Sequence, residues 1–167
     1  MPVFTEEKRK RDFTTMNRAL FKLSLIIVSF ITFTGCDKSR RVTENIPRGL
    51  VNIIIDLDLP SYMHLSNVGT HAYFDGGVRG VLVIHDFDDQ WYAFERTCAY
   101  QPGNQCSNIW VDSINIQLMC GNYNGTEFEP CCNSTYMYQG FPLSGPAAGR
   151  LAQYTISRSG NIVQVYN

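Results

Sequence analysis

From Val51 to the end of the chain, apolar and polar residues alternate in short runs that turn residues keep interrupting. Val51–Leu57 reads as a strand stopped by Pro60, and Thr70–Phe74 as a second, ended by the turn signal Asp75-Gly76-Gly77. Gly80–His85, the acidic turn Asp86–Asp89 and Trp91–Glu95 follow. Further strands are predicted at Asn108–Asp112, Ile114–Met119, Thr126–Phe128, Thr135–Tyr138, Leu151–Ser157 and Ile162–Tyr166, the last two joined as a hairpin by Ser159-Gly160-Asn161. No window carries a helical stripe, and β-branched and aromatic residues fill the runs. Many short strands at regular spacing predict an all-β, antiparallel sandwich or barrel. Ala99–Cys106 and Cys120–Gly125 read as loops.

The first third of the chain follows a different rule. Behind Arg18 and Lys22 runs an apolar stretch, Leu23–Phe33, ended by Thr34-Gly35-Cys36. A basic start, about a dozen apolar residues and small residues at the cut describe a signal peptide. The stretch is short of the roughly 20 residues that span a bilayer. Phe33-Thr34-Gly35-Cys36 resembles a bacterial lipobox, in which the cysteine is acylated and becomes the new N-terminus. The expected organisation is a signal peptide over 1–35 with translation starting at Met16, a lipidated tether over 36–48, and a β domain over 49–167. Acyl chains on Cys36, at about 0.8 kcal/mol per buried methylene, would hold the domain to a membrane on its extracytoplasmic side. Whether that membrane is inner or outer is left open.

Charge narrows the partners. The whole chain is close to neutral, but the segment from Cys36 onward holds eight Lys/Arg against twelve Asp/Glu, a net of −4. With no basic stripe, nucleic acid is not an expected partner. His64, His71 and His85 are isolated and read as ordinary surface or strand residues. Asp86, Asp88 and Asp89 read as a solvated turn rather than a calcium site.

All six cysteines lie at or after Cys36. In an oxidising compartment the first reading of Cys98, Cys106, Cys120, Cys131 and Cys132 is disulfide chemistry, each bridge contributing about 2–4 kcal/mol. Five is odd, so at least one thiol is free or bound to something. Adjacent cysteines do not readily bridge each other, so Cys131 and Cys132 need different partners. The alternative is metal: Cys98, Cys106, Cys120 and Cys131 or Cys132 holding zinc or an iron–sulfur cluster. Spacings of eight, fourteen and eleven residues match no compact ligand motif.

Three stretches together carry a family resemblance. Gly76–Val83 leads to Tyr92–Cys98; then come Pro130-Cys131-Cys132-Asn133-Ser134-Thr135-Tyr136; then Ser144-Gly145-Pro146-Ala147 before Leu151 and Tyr154. Their order resembles the Rieske-type [2Fe–2S] domain, and within it the Rieske-like lipoproteins of Bacteroidetes, over roughly Val51 to Asn167. The resemblance implies two cluster-binding loops on a β scaffold. Carried over residue by residue, Cys98 keeps its ligand position, while Tyr100 and Cys132 stand at the histidine positions and Glu129 at the second cysteine. It further implies a loop-tying bridge between Cys106 and Cys131, and a second bridge, Cys98 to Cys132, in the vacated cluster site. Ser134 and Tyr136 match positions that hydrogen-bond and shield the cluster.

A Rieske centre needs two neutral imidazoles on one iron, and neither loop holds a histidine. The expected function is therefore a membrane-anchored cell-envelope lipoprotein, not an enzyme, whose degenerate Rieske-like domain binds no cofactor and serves as a binding or structural module for a protein or ligand left open. The alternative is an electron-transfer protein that holds a non-standard [2Fe–2S] cluster or zinc through Cys98, Cys106, Cys120 and Cys132.

Overall fold

The computed structural model describes residues 46–167. The leader, Cys36 and all but the end of the tether lie outside the described residues. Ten strands run in the order β1 (Asn52–Asp56), β2 (Thr70–Phe74), β3 (Val81–His85), β4 (Trp91–Glu95), β5 (Asn108–Asp112), β6 (Gln117–Asn124), β7 (Glu127–Tyr136), β8 (Pro142–Ser144), β9 (Thr155–Ser159) and β10 (Ile162–Tyr166). The one described helix is a 3-10 turn at Met63–Ser66. Among the described residues no helix is long and apolar enough to cross a membrane. The all-β class read from the pattern holds.

All pairings are antiparallel and form three sheets, ordered β1-β10-β9, β2-β3-β4 and β5-β6-β7-β8. Val81–His85 explains how they share a core. Every residue of this apolar run is buried, as in a strand covered on both faces. Alternation sends Leu82 and Ile84, with Phe94 of β4, into a cluster containing Ile109, Leu118 and Tyr136. Val81 and Val83, with Ala93, go to the opposite cluster, built on Ile55, Val163 and Val165.

Glu95 anchors one end of this scaffold. Its carboxylate is fully buried and accepts bonds from the Val78 N–H (2.8 Å), the Arg79 N–H (2.9 Å), the Thr97 hydroxyl (3.1 Å) and the Tyr154 hydroxyl (2.7 Å). Four donors offset the cost of removing a carboxylate from water. The turn that supplies two of them requires glycine at Gly77, where φ is +62° and a Cβ would strike Glu95 Oε2 and the Tyr154 hydroxyl.

Several boundaries differ from the pattern. The segment Ile114–Ile116 forms a turn, not a strand, because Asp112 Oδ1 accepts the N–H groups of Ile114 and Asn115. Cys120–Asn124, read as a loop, is the second half of β6, and the two short strands expected around Thr126 and Thr135 merge into the ten-residue β7. Gly125 at φ +72° makes their tight turn. The strand expected from Leu151 starts at Thr155, and β8 is a short strand that the pattern does not predict. The acidic turn is not wholly solvated: Asp86 is buried and hydrogen-bonded by the Gln139 side chain, and Asp89 meets the buried His85 ring at 2.7 Å.

A candidate three-thiol site

The β6–β7 ladder is interrupted at its cysteines. Met119 pairs with Thr135, and the next pairing is Gly121 with Pro130. One residue of β6, Cys120, therefore faces four of β7, Cys131 to Ser134. The surplus residues bulge out of the sheet, and Asn133 at φ +53° turns the chain within the bulge. The turn at Gly145 packs on it so closely that a Cβ there would strike the Asn133 carbonyl and Ser134 Cα. Ser134 Oγ in return accepts the Ala147 N–H at 3.1 Å.

The opposing loop, residues 99–107, follows β4. Arg79 holds it by donating to the carbonyls of Pro102, Asn104 and Gln105 at 3.3, 2.6 and 2.8 Å. Inside the loop the Ser107 hydroxyl donates to the Tyr100 carbonyl at 2.9 Å. A disulfide between Cys106 and Cys131, with Cα atoms 5.6 Å apart, ties loop to bulge. That is the bridge the resemblance implies.

Beneath it, Cys98, Cys120 and Cys132 are free thiols whose sulfurs all lie within 4.8 Å of one another. Cys98 and Cys120 are buried and Cys132 is half-buried. Cys98 and Cys132 face each other at 3.7 Å without the covalent bond that the resemblance implies. Around them stand the Tyr136 hydroxyl, 3.4 Å from Cys98 Sγ, and the Tyr100 N–H, which donates to Cys98 Sγ at 3.5 Å. The Cys132 thiol donates to Ser134 Oγ at 3.1 Å. The neighbouring Cys120 thiol, then the hydrogen bond with Tyr136, outweigh burial and bring the Cys98 thiol down to about 6. The same contact and burial push Cys120 up, so one thiolate is shared by a pair whose other member keeps its proton. Burial, followed by the charge of Cys98, raises the Tyr136 hydroxyl.

Two positions carried over from the resemblance need correction. Glu129 does not stand in the site: it is exposed on β7, and its carboxylate accepts the Asn124 side chain at 3.2 Å. It lies in the ribbon from Gly121 to Pro130, and the third sulfur beside Cys98 and Cys132 is that of Cys120. Cys106 does not belong to the metal-ligand set Cys98, Cys106, Cys120 and Cys132, because its sulfur is bonded to Cys131. Tyr100 stays beside the site, half-buried against the core that contains Cys98 and Cys120.

The residues present do not fit a [2Fe–2S] centre. That cluster takes four thiolates, or two thiolates and two imidazoles. Among the described residues, no histidine or carboxylate joins the three thiols. His64 instead bonds the His71 carbonyl at 3.2 Å, and His85 the Leu65 carbonyl at 2.8 Å.

No protein-family model and no curated protein matches the chain. Among solved structures, it is similar to the plasma membrane Rieske protein PetC3 of Synechocystis PCC 6803, with 26% identity over 53% of this chain and 77% of that one, at a TM-score of 0.41. It is also similar to the ferredoxin of carbazole 1,9a-dioxygenase from Nocardioides aromaticivorans IC177, with 18% identity over 70% of this chain and 96% of that one, at a TM-score of 0.44.

Proposed function

We propose that this chain is a cell-envelope lipoprotein, held to the membrane through acylated Cys36, whose Rieske-like β domain is a non-catalytic binding or structural module. One observation carries the reading. The two loops keep their tie, Cys106 to Cys131, while the ground beneath them offers three thiols and no imidazole. A domain that retains the loop architecture without the histidines has no means of reaching a Rieske potential. Electron transfer through an all-cysteine [2Fe–2S] cluster is disfavoured because three thiols come together where that cluster takes four. The leader, with its apolar run and Phe33-Thr34-Gly35-Cys36, supports the anchor, and the absence of a basic stripe from Cys36 onward argues against nucleic-acid work.

The test is iron and acid-labile sulfide analysis, with a visible spectrum, on untagged protein from the native host. We expect neither iron nor sulfide and no charge-transfer colour. Stoichiometric iron and sulfide would overturn the reading.

A further inference from the structure

We propose that Cys98, Cys120 and Cys132 bind one thiophilic closed-shell metal ion, Zn(II) or Cu(I). The inference rests on the reading that no iron–sulfur cluster occupies the site. A metal–sulfur bond of about 2.3 Å places the sulfurs of a tetrahedral centre about 3.8 Å apart. Here the Cys98 and Cys132 sulfurs are 3.7 Å apart and the whole set lies within 4.8 Å. One ion therefore fits among them after displacements of less than about 1 Å.

The three sulfurs come from separate parts of the chain: the segment that follows β4, the middle of β6, and the β7 bulge. Each is fixed by backbone that does not depend on the others. Cys98 N–H donates to the Ser107 carbonyl at 2.9 Å, Cys120 sits in a paired strand, and Cys132 adjoins the disulfide-bonded Cys131. The disulfide also removes the two remaining cysteines of the domain from competition.

The donor chemistry selects the ion class. An all-sulfur set suits Cu(I) and Zn(II) and leaves Mg(II) or Ca(II) without an oxygen ligand. The Tyr100 N–H and the Tyr136 hydroxyl surround Cys98, and the Ser134 hydroxyl adjoins Cys132, as outer groups able to orient thiolates and stabilise them by hydrogen bonding. Entry is from the side of Cys132, the half-buried member. On binding, each thiol gives up whatever proton it still carries, three sulfur–metal bonds form, and no electron moves. Three thiols also cannot all be consumed by pairing: any disulfide among them leaves the third unpaired.

The test is a titration of the full chain in detergent, reduced at the three thiols and handled without oxygen. Zn(II) and Cu(I) are added separately against a competing chelator, and the bound metal is examined by X-ray absorption. We expect one equivalent of one or both ions and a shell of three sulfurs at about 2.3 Å. The relative affinities decide which ion the site prefers. Cys98→Ser, Cys120→Ser and Cys132→Ser should each weaken binding by at least about 100-fold, whereas Cys36→Ser should leave it unchanged. If the serine variants do not fold, the sulfur shell of the unaltered chain decides. No binding of either ion with all three thiols titratable, a shell with fewer than three sulfurs, or a Cys98–Cys132 disulfide in protein from the native host would each overturn the proposal. Iron with labile sulfide would instead overturn the reading beneath it.

Discussion

The Tyr136 hydroxyl accepts the Ala99 N–H at 3.2 Å while lying 3.4 Å from Cys98 Sγ. One phenol on β7 thus serves both the backbone of the opposing loop and the thiol at its root. Tyr136→Phe should strand a buried N–H and cost about 1–3 kcal/mol. It should also raise the Cys98 thiol, since a bond that favours the thiolate is lost. Chemical denaturation and a thiol-reactivity profile against pH measure the two effects. An unchanged Cys98 profile would deny the hydroxyl its role.

Stability of the metal-free, reduced chain should depend on pH. Cys98 is held at about 6 in the fold, against about 8.5 for an unfolded cysteine. Its contribution is fully present above the unfolded value and is lost as pH falls through the folded one. Cys120, pushed up by the neighbouring Cys98 thiol and by burial, is protonated in both states below about 8.5 and adds no slope there. His71, lowered by burial and then by His64 from an ordinary 6.5, weakens the fold only on the acid side of that value. Between pH of about 6.5 and 8.5, denaturation midpoints should rise, and Cys98→Ser should flatten the rise.

Removing the Cys106–Cys131 bridge by a double serine substitution frees a 25-residue separation. The unfolded chain gains the corresponding freedom, worth about 3 kcal/mol. Calorimetry should show the drop. Because Cys131 adjoins Cys132, the variant should also lose ordering at the three thiols, visible as faster alkylation of Cys132.

Gly77→Ala should be among the most damaging small changes in the domain. The substitution meets a positive φ, the buried Glu95 carboxylate and the Tyr154 hydroxyl at once. We expect a loss of about 2 kcal/mol or more, against a near-neutral result for Gly103→Ala, where a Cβ meets nothing within 4 Å. Equal melting temperatures for the two variants would contradict the account of this turn.

Anchoring is tested by mass spectrometry of the N-terminal peptide from the native host. Acylated Cys36 should be the first residue. Peptides covering Leu23 to Gly35, or an unmodified Cys36, would refute the anchor.

The scaffold was legible wherever a strand obeys its own local pattern. Val81–His85 and Ile162–Tyr166 declare themselves by composition and by the turns that bound them. The site was legible only in part. Cys98 and Cys132 could be placed from their flanking motifs, but counting back from Cys131 led to Glu129, because nothing local reveals that Gly121–Pro130 folds away as a ribbon. Cys120 reaches the other sulfurs through a register jump of the β6–β7 ladder. Register is settled by pairing between strands, not by the residues of either strand alone.

That jump also divides the long hairpin into two mechanical parts. Beyond it, Gly121–Asn124 and Glu127–Pro130 pair regularly around a two-residue turn, while behind it the strands belong to the core. Growth or loss of the ribbon by pairs of residues would keep every side chain on its face and leave the sulfurs where they are. The tip is thus a port into which foreign sequence could be grafted, or lineage-specific length accumulated, without the interior registering the change.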